Sequence, residues 1–339
     1  MIRTLFKSLI VLGLLASPVV AQDQEDRSYI LATATTGGTY YPVGVAIATL
    51  TKIRLQPTSG VSMSAISSAG SAENVRLLRD DEVQFAILQG LYGAWAWNGE
   101  GPLIEVGPQS DLRSVTMLWP NVEHFTMRRE FATTGTVADL TNLEGRRFSI
   151  GARNSGTEGS GRHILGALGY DVDEDFDVVF QGYGPSADSL QNGLIDGMNT
   201  PAGVPVSAVT RAFAADGADL SILNFTDEEM ATVNTQYDLW TRYDIAAGTY
   251  PNQQVAIATI AQPNFLTVRS DVDEEAVYLI TKTIYENLPF LQSIHAATSN
   301  MHLDRAVAGL PMPLHPGALR YYDEMGIEVP NALRGTAVE

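Results

Sequence analysis

The chain has 339 residues, 45% of them hydrophobic and 18% charged, so it is long enough for two domains of ordinary size and too apolar to be disordered. A formal net charge of −18 argues against nucleic acid and anionic membrane surfaces, which need basic patches. It does not exclude an acidic ligand, because charges beyond about 8 Å are screened at physiological salt and a local cluster of donors outweighs them.

Arg3 and Lys7 precede an apolar run at 9–16, and Val19, Val20 and Ala21 follow. A basic start, a short apolar stretch and small residues before a cut describe a secretory signal peptide over residues 1–21. Cleavage after Ala21 takes the formal charge from −18 to −20 by removing Arg3 and Lys7. The run is too short to span a bilayer, which takes about 20 apolar residues, and no later stretch is longer. The chain is thus expected in the Gram-negative periplasm, without direct membrane insertion. It has no cysteine, so it carries no lipid anchor near the cut, and its cores would stand without disulfides.

From Ser28, strand-like and helix-like runs alternate. Residues 28–35 read as a strand, 42–50 as a helix, 61–68 as an alternating strand and 71–78 as a short helix. Residues 83–88 and 113–119 read as buried strands. This order predicts a parallel, doubly wound sheet with helices on both faces. The pattern changes near 120–130, where EHFTMRR reads as an extended crossing segment. A second unit follows, with a strand at 146–152, a turn at 154–157 and a helix at 161–168. Runs at 178–183, 186–193, 196–200 and 204–214 continue the alternation. Residues 255–268 read as two extended runs, and 274–291 as helix. The expected organisation is a first lobe of residues 28–126 plus 260–335 and a second, inserted lobe of 127–259, joined by two crossing strands. The tail after Pro330 is expected to be loosely held.

Four clusters could form a site. In TATTGGTYYPVG, Gly37 and Gly38 allow a tight turn and close approach by a guest. Tyr40 and Tyr41 offer flat surfaces with hydroxyl tips, and Pro42 suits a first helical turn. The free amides of such a helix start suit an anion. In FSIGARNSGTEGSGRHILGALG, Asn154, Ser155 and Thr157 are good caps, and Gly156 allows the turn. The Ser155 and Thr157 hydroxyls can donate to an anion. Gly159 and Gly161 weaken the helix's first turn and suggest a close approach by something. Either unit alone reads equally well as an ordinary helix cap; the pair favours a ligand site. In the third cluster, Ser71 and Asn74 mark a helix start. Gln89 sits past the end of a strand, where open α/β sheets bind ligands, and its amide both donates and accepts. The fourth, 199–203, brings Pro201, Ala202 and Gly203 ahead of a helix starting at Pro205. Arg153 could pair with a carboxylate or point away to the acidic surface.

Other chemistry finds no support. The five histidines are scattered, without close i, i+4 pairs, so no metal site is expected. Ser160 lies in EGSGR, which lacks the G-x-S-x-G frame, and there is no P-loop or G-x-G-x-x-G. No cofactor is expected, and no nucleophile–base pair of an enzyme is readable.

Taken in order, the motifs resemble the TAXI family of periplasmic solute receptors, which serve TRAP transporters. Thr36-Gly37-Gly38-Thr39-Tyr40-Tyr41-Pro42-Val43-Gly44 matches its opening turn, and Ser71-Ala72-Glu73-Asn74 its next segment. A strand ending in Gln89 follows, then Ser155-Gly156-Thr157-Glu158, Ala247-Gly248-Thr249-Tyr250-Pro251 and the helix at 277–282. Nearly all of the mature chain is covered. The chain departs from the pattern at Thr35 and Thr36, at Gly90-Leu91 and at 159–162, all near the expected pocket. The resemblance implies an α/β, two-lobe periplasmic binding protein of type II-like form, each lobe a mixed sheet flanked by helices, with the ligand cleft between them. It implies a monomer that is not an enzyme, which captures a small anionic solute, glutamate-like or a dicarboxylate such as 2-oxoglutarate, and delivers it to TRAP membrane permease subunits. On this pattern Gly38, Thr39 and Tyr40 would bind one carboxylate, and Ser155, Gly156 and Thr157 would bind from the other lobe. Ser71, Asn74 and Gln89 would set orientation. Tyr41, Pro201, Ala202 and Gly203 would shape the walls. The rival function is a periplasmic sensor that presents its ligand to a signalling receptor.

Overall fold

The computed structural model describes residues 26–216 and 219–335, so the expected signal peptide lies outside the described residues. The chain opens with β1 (Arg27–Ala32), α1 (Tyr40–Ser59), β2 (Val61–Ile66), α2 (Ser71–Arg79), β3 (Phe85–Gln89) and α3 (Gly90–Asn98). A long strand, β4 (Leu112–Val122), gives way at Glu123 and His124 to β5 (Phe125–Arg128). Then come β6 (Arg147–Ser149), α4 (Gly156–Ala167), α5 (Val172–Asp175), β7 (Asp177–Val179), α6 (Tyr183–Gln191), β8 (Gly197–Asn199), α7 (Ser207–Asp216), β9 (Leu220–Ile222) and α8 (Asp227–Val233). The chain ends with β10 (Thr241–Ile245), β11 (Ile257–Arg269), α9 (Glu274–Glu286), α10 (Leu288–Ile294) and α11 (Pro316–Glu324).

Two mixed sheets result. The first has the order β10-β11-β3-β1-β2, with β4 also paired to β11; the second has the order β7-β6-β8-β5-β9. β1 runs parallel to β2 and β3, as the βαβα order predicts. β4 does not extend that parallel set: it pairs antiparallel with β11, from Val122 opposite Ala261 to Leu112 opposite Arg269. β3, FAILQ, is buried throughout, as a strand covered on both faces must be.

Several elements differ from the sequence expectation, each for a local reason. α1 runs nine residues beyond the expected end at 50, because Thr51 and Leu55 keep a buried face. It stops at Gly60, whose left-handed φ of 66° lets its amide bond back to Gln56 O. Residues 255–268 contain one long strand rather than two. Pro263 falls between the stretches of β11 paired with β10 and with β3, and it faces Pro120, so its missing N–H interrupts neither ladder. The expected helix at 274–291 breaks at Asn287, with Pro289 in the first turn of α10. α3 and β10 were not anticipated: α3 is apolar almost all round, and β10 is half exposed. The helix expected from Pro205 begins at Ser207.

The pairings also move two expected lobe boundaries. Phe125 and Thr126 belong to the second sheet, opposite Asn199 and Met198. Thr241–Ile245 joins the first sheet through β11.

One apolar core packs α1, α9 and α11 on the first sheet around Leu31, Phe85, Ile280 and Tyr322. A second surrounds Phe125, Phe148, Phe225 and Trp240, and it takes in Tyr92 and Trp95 of α3. A third, around Val206, Phe213 and Tyr250, includes Ala261 of β11. Each such side chain contributes roughly 1.5–3 kcal/mol on burial. Because α3 follows directly on β3 yet packs in the second core, the two sheets are held close enough to share a cavity.

Candidate functional site

Four helices begin at that shared cavity. The residues before α1 and α2, Thr39 and Gly70, line it from the first sheet, and those before α4 and α6, Ser155 and Gly182, from the second. The first amides of a helix have no intrahelical partner, and the helix dipole places partial positive charge there. Thr39, Gly70 and Gly182 make no side-chain capping bond, whereas Ser155 Oγ accepts from the Glu158 amide at 3.0 Å.

Of the residues expected at the site, Gly38, Thr39, Tyr40, Ser71, Gln89, Ser155, Gly156, Thr157, Pro201 and Ala202 line the cavity. Three do not. Tyr41, on α1, is not among the lining residues. Asn74 is fully buried beneath, where Nδ2 donates to Thr33 O at 2.8 Å and Ile87 O at 2.9 Å, tying the ends of β1 and β3. Gly203 sits behind the wall; an added Cβ would meet Trp119 and Ala297 within 3 Å. Arg153 does not join the cavity either: its guanidinium stacks over Phe180, 3.6 Å from the ring centre. Gly159 and Gly161 are approached by the rings and methyls of Tyr92 and Ile150 rather than by a guest.

Sequence reasoning missed Asn121 and the α6 start at Gly182 and Tyr183, which also line the cavity. The signal for α6 was present: VVFQGYG repeats, in shorter form, the strand, glycine and tyrosine of the opening turn. Asn121 had no local signal, because it lies inside β4 and only the sheet pairing brings it to the cavity.

The polar groups here have determinate directions. Gln89 Nε2 donates to Gly156 O at 2.7 Å, across the two sheets, so its Oε1 faces Asn121 and accepts from Nδ2 at 3.2 Å. The Gln89 amide donates to Ser71 Oγ at 3.1 Å. The Tyr183 hydroxyl donates to Pro201 O, so Thr157 Oγ1 must donate to Tyr183, 2.7 Å away. The Tyr40 hydroxyl donates to Asn264 Oδ1. Burial pushes both phenols far above their ordinary pKa, so they stay protonated. Their protons are committed to protein acceptors, leaving backbone amides and the serine hydroxyls to meet an anion.

The two sides also touch directly. The Glu73 amide donates to Asn154 O at 3.0 Å, and Ser207 Oγ to Gly37 O at 2.9 Å. Gly70 adopts a φ of 129°, open to glycine alone, and packs on Gly156. A Cβ on Gly156 would stand 2.8 Å from Ser71 Oγ and 2.9 Å from Gln89 Cδ.

Among the described residues that line the cavity, none is charged. Just beyond Asn121 lie two buried titratable groups. Glu123 accepts from Asn199 Nδ2 at 2.9 Å, and burial pushes its carboxyl up to about 7. The His124 ring bonds Val122 O at 2.8 Å and the Tyr250 hydroxyl at 2.7 Å, and burial pulls it down to about 4. A carbonyl only accepts, so Nδ1 carries the proton and Nε2 accepts from Tyr250. Among the described residues no group of three or more His, Asp or Glu could hold a metal ion, and no helix is long and apolar enough to cross a membrane.

The architecture is that of periplasmic binding proteins. The malate-bound MatC of Rhodopseudomonas palustris superposes with a TM-score of 0.53 at 14% identity, over 88% of this chain and 98% of MatC. The periplasmic binding protein BugD superposes with a TM-score of 0.53 at 12% identity, over 89% of this chain and 95% of BugD. At such identities the likeness is one of fold. The sequence itself matches the profile of one family from residue 31 to 326, and the chain therefore belongs to the NMT1-like family.

Proposed function

We propose that this protein is a periplasmic solute receptor that captures a small carboxylate between two lobes and delivers it to a TRAP-type permease. The observation that carries the reading is the convergence of four helix starts, two from each sheet, on one cavity without a charged side chain. Each helix start offers about 0.3–1 kcal/mol to an anion, up to about 2 when partly buried. Four of them can hold a carboxylate without an arginine. Two starts on either side suit a molecule with an acid group at each end, such as a small diacid. MatC, which is similar in fold, is bound to malate, and this supports a ligand of that class.

In this reading the first lobe offers the amides at Thr39 and Tyr40 and the hydroxyl of Ser71. The second offers Ser155 and the amides at Gly156 and Thr157. Gln89 orients the ligand, while Pro201 and Ala202 form a wall. β4 and β11, which run beside each other past the cavity, are the crossing strands about which the lobes close. The protein performs no chemistry on the solute. Periplasmic delivery rests on the leader pattern, and the TRAP partner on the ordered motifs of the TAXI type.

The test is a thermal-shift screen of the mature chain after removal of bound ligand, with dicarboxylates, 2-oxo acids, amino acids and neutral sugars. A ligand at 100 times its dissociation constant adds about 2.7 kcal/mol. A shift confined to acids is expected. A shift with neutral sugars alone would overturn the reading.

A further inference from the structure

Glu123 is a fully buried carboxyl two residues past Asn121, which lines the neutral cavity. A negative charge on it is felt by Tyr183, a lining residue of α6. The groups around it are neutral. Asn199 approaches from β8, Gln262 from β11 and the Trp240 indole from the segment leading into β10. His124 turns its ring to Val122 and Tyr250. His163 of α4 stacks on Trp240, ring centres 5.1 Å apart, with Nε2 at 3.3 Å from Val233 O, and burial lowers its pKa. The cations of the flanking elements are engaged elsewhere: Arg162 of α4 with Asp173, and Arg242 of β10 with Asp227. Among the described residues no cation offsets an ionised Glu123, and a buried unpaired carboxylate is costly.

The hydrogen bonding accommodates Glu123 with or without its proton. Asn199 Nδ2 donates to Glu123 Oε2, yet Glu123 Oε1 and Asn199 Oδ1 are both buried without a partner. Both are acceptors. The Trp240 Nε1 and Gln262 Nε2 donors beside it are also buried without a partner, so neutral donors surround the ionised carboxylate, while a proton on Glu123 would pair it with Asn199 Oδ1.

We infer that capture of an anion in the cavity is coupled to uptake of a solvent proton at Glu123, so that the protein takes up the acid anion and a proton together. This rests on the proposed carboxylate site. The coupling is repulsion between like charges: at an effective dielectric constant of about 20, two of them some 8 Å apart weaken each other's binding roughly thirtyfold. The anion therefore raises the proton affinity of Glu123, and the protonated carboxyl raises the affinity for the anion by the same factor. The proton balance is simple. Solvent supplies one proton, the carboxylate becomes a carboxyl, and release of the anion returns the proton.

Calorimetric titration with L-malate, 2-oxoglutarate and L-glutamate, from about pH 6.5 to about pH 8, tests it, since these acids stay ionised throughout. Pairs of buffers with different ionisation heats count the protons taken up. The expected result is an affinity that falls roughly tenfold over that range, with up to one proton taken up per ligand near the middle of it. In Glu123→Gln both the proton uptake and the pH dependence should vanish. Binding by the unmodified protein that is flat with pH and proton-neutral would overturn the coupling and leave the carboxylate site standing. Proton uptake that persists in Glu123→Gln would place the proton elsewhere and overturn the assignment to Glu123. Failure of all three acids to bind at any pH would overturn the site and the coupling with it. The proton count on the unmodified protein decides the matter even if the variant does not fold.

Discussion

Thr39 and Gly203 hold each other behind the cavity wall: Thr39 Oγ1 donates to Gly203 O at 3.1 Å and accepts from Gly203 N at 3.1 Å. One hydroxyl thus satisfies both backbone groups of a residue 164 positions away, with neither exposed to water. Thr39 also stands directly before α1, so this clasp sets where that helix start points.

Thr39→Val keeps the shape and removes the hydroxyl. Two buried backbone groups on Gly203 then lose their partner, at a cost of about 1–3 kcal/mol. Because the clasp spans the two sides, the loss should appear mainly as weaker ligand affinity, by roughly ten- to a hundredfold in calorimetry. An unchanged affinity would mean that the clasp does not contribute to closure.

Gly156→Ala should block the close approach of α4 to α2. Its new methyl would collide with Ser71 Oγ and Gln89, at 2.8 and 2.9 Å. Overpacking of this kind costs about 1–3 kcal/mol, and opening the cleft relieves it. The variant should fold with a near-normal circular dichroism spectrum, bind poorly and give a larger radius of gyration by X-ray scattering. Full affinity would show that the contact seen between the two helix starts is not needed for binding.

Gln89→Ala removes the donor to Gly156 O and the acceptor for Asn121 Nδ2 together. Binding should weaken by roughly 1–3 kcal/mol. Tyr41→Phe is the matched comparison: Tyr41 was expected at the wall but does not line the cavity, and its hydroxyl should be dispensable. Equal losses in the two variants would contradict this placement.

Glu123 and His124 give stability two opposing slopes with pH. The Glu123 carboxyl is raised from 4.5 to about 7, so its contribution is full below about pH 4.5 and is lost as pH rises through 7. The His124 ring is lowered from 6.5 to about 4, so its contribution is full above about pH 6.5 and is lost as pH falls through 4. Each amounts to roughly 3 kcal/mol at most. Between about pH 4.5 and 6.5 the two nearly cancel. Denaturant melts of Glu123→Gln should therefore show stability rising with pH across that window, where the unmodified protein is nearly level. A level profile in the variant would show that His124 does not titrate as its burial requires.

Local chemistry was enough to bring two helix starts near Thr39 and Ser155 into view, expected at Pro42 and Gly161 and found at Tyr40 and Gly156, because a strand, a glycine turn and the first helical residues lie close together in sequence. The same holds for the buried strand expected at 83–88 and found at Phe85–Gln89, and for the α/β alternation. What those starts face was decided by the tertiary structure. β11 pairs with β3, β4 and β10, which lie between 12 and 184 positions away, and that pairing carries Asn121 to the cavity. Asn74, a plausible ligand residue by its neighbours in sequence, is instead consumed by two backbone carbonyls that only the folded sheet brings within reach. Gly159 is small because Tyr92 lies against it, and Glu123 is buried without a cation because two sheets meet around it. A helix start needs only its own few residues. A cavity wall, a buried charge and a register depend on partners far away in the chain.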